Sequence, residues 1–352
     1  MHYSGMKVVW RLLLIETVLL IATGIGSALL IDTIGEYPAI AVGQLHMIIP
    51  ILIGILYIKR THVYASIPVN LGIRGFEPGL VFIIILLPAA ATGYITLLLS
   101  PILYGLTNVF GEASAVTAPE TVNELMWMFL SLCIIAPVFE ELLFRGVFMK
   151  ILDPYGSGIA IFISALAFAI AHFSPVSFLV VLIMGILMAL LKIYSDSILP
   201  CIIFHSLYNF QSVITLVIEK DLEQHAFPIL LINIGLAVLF PILLIILFKV
   251  FGKGKWYRGT AKNFKGGRIS LVITLIIFAL FSAEALLRTH PQIVDSLQTL
   301  FGQYETEEYE YIIPYEDDYG EDFFGDGYYY YPEEDEQYEY IPDEFFEYFF
   351  GS

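Results

Sequence analysis

Charged residues are scarce in this chain. They make up 14% of its 352 positions, while 58% are hydrophobic; an ordinary soluble domain carries about 25% charged residues. That balance excludes a soluble globule and predicts a polytopic membrane protein. Cysteine is nearly absent. Cys133 and Cys201 both stand in apolar segments, so a structural disulfide is not expected, and no zinc-type cysteine spacing exists. The two thiols are expected to behave as small buried hydrophobes. No HExxH sequence is present, which removes the better-known zinc-protease helix, and no Ser or Cys stands paired with a base as a nucleophile. No internal repeat is evident. The first apolar run ends without a small-residue cleavage site, so it reads as a retained helix rather than a removed signal. Lys and Arg are missing from residues 301–352, which hold 18 Asp or Glu; residues 1–300 hold 16 acidic against 17 basic residues. The formal net charge of −17 therefore belongs to a tail and not to the body of the chain.

What is present is a series of long apolar runs. Runs of this length cross a bilayer as helices, and they fall near 8–31, 41–58, 79–104, 124–151, 157–173, 176–194, 197–218, 227–250 and 269–287. The expected fold is an all-α, polytopic bundle of about nine transmembrane helices. Its divisions are N-terminal membrane helices (1–123), a central core (124–218), C-terminal membrane helices with a basic loop (219–290) and a tail (291–352). Ser174-Pro175 predicts a tight turn between the fifth and sixth runs. The loop 251–268 holds Lys253, Lys255, Arg258, Lys262, Lys265 and Arg268 and no acid, which by the positive-inside rule makes it cytoplasmic. Lys59, Arg60, Arg74, Lys150 and Lys192 mark further cytoplasmic ends. The layout implied has the N-terminus inside and the tail outside, in what reads as a prokaryotic plasma membrane. The tail is dense in Asp, Glu, Tyr and Phe. Acidic density predicts disorder, with either no fixed partner or a basic one.

Ionisable groups inside the fourth run break the apolar pattern. Residues 139–146 read Phe-Glu-Glu-Leu-Leu-Phe-Arg-Gly. A charged side chain at bilayer depth costs roughly 2.5–3.5 kcal/mol on insertion scales and marks function by default. Glu141 and Arg145 stand four apart in the orientation that favours an ion pair, a structural role. Glu140 points about 100° away around the helix, free to face the interior as a general base; its alternative is a charge paired elsewhere in the bundle. Phe168 and His172 share one face of the fifth run, as do His205 and Asn209 of the seventh. Counted from the helix ends at about 1.5 Å per residue, these groups lie roughly 12–22 Å deep, in one central layer. His172 fits a water-orienting group or a metal ligand. His205 fits the same roles or an interhelical hydrogen bond. Asn209 fits an oxyanion donor or an interhelical amide bond, and Phe168 shapes the pocket or simply packs. Pro137, three residues before Glu140, predicts a kink beside the site. His2, His46, His62, His225 and His290 have no evident partners there and are expected to do nothing catalytic.

The motifs Glu140-Glu141-xxx-Arg145, Phe168-xxx-His172 and His205-xxx-Asn209, in this order on successive membrane helices, resemble those of the CAAX prenyl protease and bacteriocin-processing family of intramembrane proteases. The resemblance covers about residues 124–215. It implies an endopeptidase that hydrolyses a peptide bond in a peptide or membrane-anchored precursor, with Glu140, His172, His205 and Asn209 catalytic and Glu141, Arg145 and Phe168 supporting them. Such a site works on a peptide or protein within the lipid membrane, and no nucleic acid is expected. One Glu and two His (Glu140, His172 and His205) would suit a divalent metal such as Zn²⁺ with an open position; a metal-free glutamate mechanism suits the same residues. Two other functions compete. One is a non-catalytic immunity or scaffold role, which would not need all four polar residues. The other is a transporter, which the absence of an evident inverted repeat disfavours.

Overall fold

The structure is a computed structural model that describes residues 5–61, 71–111, 118–222, 226–252, 254–260 and 267–290. The acidic tail, His2, His62 and His225 lie outside the described residues. Among those described there is no β-strand, and nine apolar helices follow the nine runs of the sequence: α1 Gly5–Ala28, α2 Glu36–Thr61, α3 Pro78–Phe110, α4 Val122–Tyr155, α5 Ser157–Ala171, α6 Phe178–Ser195, α7 Leu199–Leu222, α8 Phe227–Phe251 and α9 Arg268–Thr289. Eight of them are long and apolar enough to cross a membrane. The protein is an integral membrane helix bundle.

The exception is α5. Its 15 residues fall short of the ~20 that a span requires. The turn that follows is held by Phe173 in the left-handed region, with φ 48°, and by Ser174 Oγ, which accepts from the Ser177 N–H. His172, at the C-terminal end of α5, is thereby delivered inside the bundle rather than at its rim.

The core is centred on α4. Every residue from Leu143 to Met149 is buried, including the arginine. This helix is not regularly α. Phe129–Ile135 and Leu142–Phe148 wind as π-helix, on either side of an α-helical stretch, Ala136–Glu141. Pro137 has no N–H to give to the carbonyl four residues back, and the first wide turn lies immediately before it. π-Turns offer carbonyls sideways, and they concentrate at functional sites. Here neighbours take them: Asn209 Nδ2 donates to the Leu132 carbonyl (2.8 Å) and Ser164 Oγ donates to the Phe144 carbonyl (2.8 Å).

Close approach depends on two glycines. A Cβ on Gly54 of α2 would stand 2.2 Å from Val147 Cγ1 of α4. A Cβ on Gly185 of α6 would press against Ala165 of α5 at 3.1 Å and against Arg145 Nη2 at 3.3 Å. Along the periphery α3 pairs with α8 and α1 with α9. Only 6% of the α9 window is buried, so its remaining surface is apolar side chain suited to lipid.

The basic segment before α9 docks on the α4–α5 junction. The Ser157 N–H donates to the Tyr257 carbonyl and Ser157 Oγ accepts from the Tyr257 N–H. The Thr260 N–H donates to the Pro154 carbonyl. The Tyr257 hydroxyl donates to Asp153 at 3.0 Å. Burial, followed by the neighbouring Asp153 charge, pushes the Tyr257 phenol above its ordinary range, so this contact stays intact through mildly alkaline pH.

Gly54→Leu drives a side chain into Val147 and should destabilise the bundle by about 1–3 kcal/mol. The expected readout is a clearly lowered melting temperature in detergent. A melting temperature equal to wild type would contradict the close α2–α4 packing.

Candidate active site

Glu141 organises the site. Its side chain and that of Arg145 are fully buried, 2.9 Å apart. Burying two such charges costs several kcal/mol each and is tolerated only with close pairing and further hydrogen bonds. Arg145 Nη2 supplies one by donating to the Gly185 carbonyl at 3.1 Å, and the guanidinium carbon lies 4.3 Å from the centroid of the Phe168 ring, a cation–π distance. The ion pair that the spacing predicts is present. Sequence spacing did not show that Glu141 Oε1 also faces His205 Nδ1 at 3.0 Å. An ionised carboxylate only accepts, so Nδ1 carries a proton and Nε2 is directed to the other side.

That other side holds Glu140. Glu140 Oε2 lies 3.6 Å from His205 Nε2, too far for a direct hydrogen bond, and has no hydrogen-bond partner in the protein. The ion-pair contact of Glu140 is this one with His205. His172 shows the same polarity as His205: its Nδ1 faces the Phe168 carbonyl at 2.8 Å, an acceptor, which makes Nδ1 the protonated nitrogen and leaves Nε2 for a ligand. Phe168 packs edge-on against both histidines, at ring separations of 4.6 and 5.7 Å, so it fixes both imidazoles. Asn209 makes the interhelical amide bond that was one of its two readings, to Leu132. One N–H of its amide remains available.

Glu140, His172, His205, Asn209 and Phe168, from three helices, line one cavity of about 410 Å³. The rest of its wall is largely apolar, with Met128, Leu132, Val180, Met184 and Phe204 among the lining residues. The sequence motifs are thus brought together as expected. The metal set is a different matter. Among the described residues no three His, Cys, Asp or Glu side chains group closely enough to hold a metal ion. As placed, Glu140, His172 and His205 do not fit a three-donor site.

His46 has partners of its own, outside the motif residues. It is buried, its Nε2 lies 3.1 Å from Glu16 Oε1 of α1, and its Nδ1 lies 2.8 Å from the Gly43 carbonyl. Both residues share a small cavity with Glu140 and His172. The missed signal was Glu16, an acid inside an apolar helix (residues 11–21, RLLLIETVLLI), which by the rule applied to Glu140 marks a site. Its partner lies 30 residues away on another helix, where no spacing rule reaches.

Fold and site together define a membrane-embedded helical protein with an acid, two histidines and an amide around an internal cavity. Residues 122–211 match the family model described as Type II CAAX prenyl endopeptidase Rce1-like. The matched segment carries all seven motif residues. No curated protein and no solved structure matches the chain.

Arg145→Met strands the Glu141 carboxylate in the interior and should cost about 3–5 kcal/mol. The double variant Glu141→Met/Arg145→Met should recover much of that loss, because no unpaired charge remains. Thermal unfolding of both variants in the same detergent tests this, and equal stability of the two would contradict it.

Proposed function

We propose that the protein is an intramembrane endopeptidase in which Glu140 activates a water molecule against a peptide bond held in the 410 Å³ cavity. One observation carries this reading. Glu140, a partly buried carboxylate 3.6 Å from His205 Nε2, lines a single cavity with His172 and His205, whose Nδ1 atoms are engaged elsewhere. Glu140 takes a proton from water as the oxygen attacks the carbonyl carbon. His205, fixed by Glu141, orients the water through Nε2. The second N–H of Asn209 is within the same cavity to stabilise the oxyanion, and His172 presents a bare Nε2 there that accepts a hydrogen bond. On collapse of the tetrahedral intermediate, the proton held by Glu140 passes to the leaving nitrogen and the new carboxylate keeps the water oxygen. This sequence needs no covalent acyl intermediate and no metal.

The apolar wall of the cavity suits the extended backbone of a membrane-anchored or hydrophobic precursor peptide, with few charges near the scissile bond. The basic charge of the loops favours a cytoplasmic N-terminus and an external C-terminal tail. That tail, with 18 acids and no base in residues 301–352, would attract a basic partner.

Incubation of purified protein with a candidate precursor peptide, followed by mass spectrometry, tests the reading. Wild type should cleave, and Glu140→Gln should be slower by about 10²–10⁴-fold, the usual contribution of a general base. Equal cleavage by both would remove Glu140 from this role. Dialysis against a chelator should leave the wild-type rate unchanged; loss of activity that added Zn²⁺ restores would overturn the metal-free route.

A further inference from the structure

α1 and α2 lie outside the family-matched segment, yet they close the far side of Glu140. There they form a second, smaller cavity of about 90 Å³, whose wall includes Glu16, Gln44, His46, Glu140, Phe144 and His172. Polar groups of Glu16, Gln44, His46, Glu140 and His172 share this wall with apolar side chains, and a cavity with several polar groups on its wall suits water. A water molecule occupies about 30 Å³ in the liquid and needs two to four polar partners. The chamber has room for about three.

The Glu16–His46 pair suits this use. His46 Nδ1 faces a carbonyl and must carry a proton, while Nε2 faces a carboxylate oxygen at 3.1 Å. One further proton must lie between Nε2 and Oε1, whichever atom holds it, since two bare acceptors would repel. The pair is therefore neutral overall and sets no second uncompensated charge beside Glu140. The other ionisable groups around the chamber are Glu140 and His172, with Glu141, Arg145 and His205 one layer behind. The helix that continues after His46 carries Tyr57, Lys59 and Arg60 only near its far end.

Glu140, His172 and Gln44 line both cavities. Glu140 thus stands in the partition between a small chamber of mixed polarity and a larger, more apolar one. Peptide hydrolysis consumes one water per bond, and a peptide filling the apolar cavity would displace water from it. We propose that the chamber walled by Glu16, Gln44 and His46 is a water-binding site that supplies the hydrolytic water to Glu140 while the peptide occupies the larger cavity. The supply role rests on the protease reading; the water site does not.

Hydroxyl-radical footprinting of the full-length protein in nanodiscs separates the two. Phe144 and Phe173 line the chamber and are almost fully buried, so bulk solvent cannot label them. Both should nevertheless be labelled in wild type by radicals formed from chamber water. Labelling should fall several-fold in Glu16→Leu/His46→Leu, which replaces the ion pair by apolar groups without stranding a charge, and in Gln44→Leu, which keeps the pair intact. Absence of label in wild type, or label unchanged in both variants, would overturn the water site. In the peptide assay, Glu16→Leu/His46→Leu should lower kcat by about tenfold or more with KM unchanged. A raised KM with unchanged kcat would assign the chamber to substrate and overturn the supply role. If wild type cleaves nothing, the protease reading fails, and the footprint still decides the water site.

Discussion

The Glu141 carboxylate is the point on which the rest of this structure depends. A single oxygen of it receives Arg145 from the same helix and His205 from α7. Arg145 in turn reaches the Gly185 carbonyl on α6 and the face of Phe168 on α5. Four helices that lipid could otherwise let slide are tied through one buried ion pair. In such an interior, attraction between the charges is strong, and so is the penalty for losing either one. That asymmetry makes the pair a stringent constraint. Helices α4 to α7 must meet in one register or bury an unpaired charge.

The same constraint releases the neighbouring carboxylate for chemistry. Glu140 and Glu141 are adjacent and each has a buried oxygen without a protein partner, yet only Glu141 is bonded, through Oε1, to Arg145 and His205. A rotation of about 100° along the helix separates their surroundings. The irregular winding of α4 on either side of them matters equally. The π-turns present Leu132 and Phe144 carbonyls to Asn209 and Ser164, so the helix that bears both acids is braced by its neighbours at each end. His172 and His205 are each given a proton on Nδ1 by an acceptor and face the cavity with Nε2. Both rings are oriented without a substrate, as the proposed general-base mechanism requires.

Much of this was legible in the sequence, for identifiable reasons. Apolar runs fix membrane helices because backbone groups in lipid must bond internally, and the nine runs became nine helices within a few residues. Glu141 with Arg145, Phe168 with His172 and His205 with Asn209 were legible because spacing of four sets side chains on one helix face. The bond from Glu141 to His205 was not, since it joins helices 64 residues apart and no local period reports it. The Glu16–His46 pair was missed for the same reason, although the isolated acid in α1 was visible. Nor did the sequence reveal that three such residues would fail to group around a metal, because shared depth says nothing of whether donor atoms converge.

The division of labour between the two acids is the central claim, and thermal unfolding of Glu140→Gln beside Glu141→Gln, in the same detergent and at the same pH, tests it most directly. Glu140→Gln should melt at or above the wild-type temperature, because it neutralises a carboxylate that no cation holds at hydrogen-bond distance. Glu141→Gln should melt well below it, because it leaves Arg145 charged and unpaired in the interior and loosens His205. The reverse order, or equal losses, would contradict the assignment of Glu141 as the structural anchor and Glu140 as the free base.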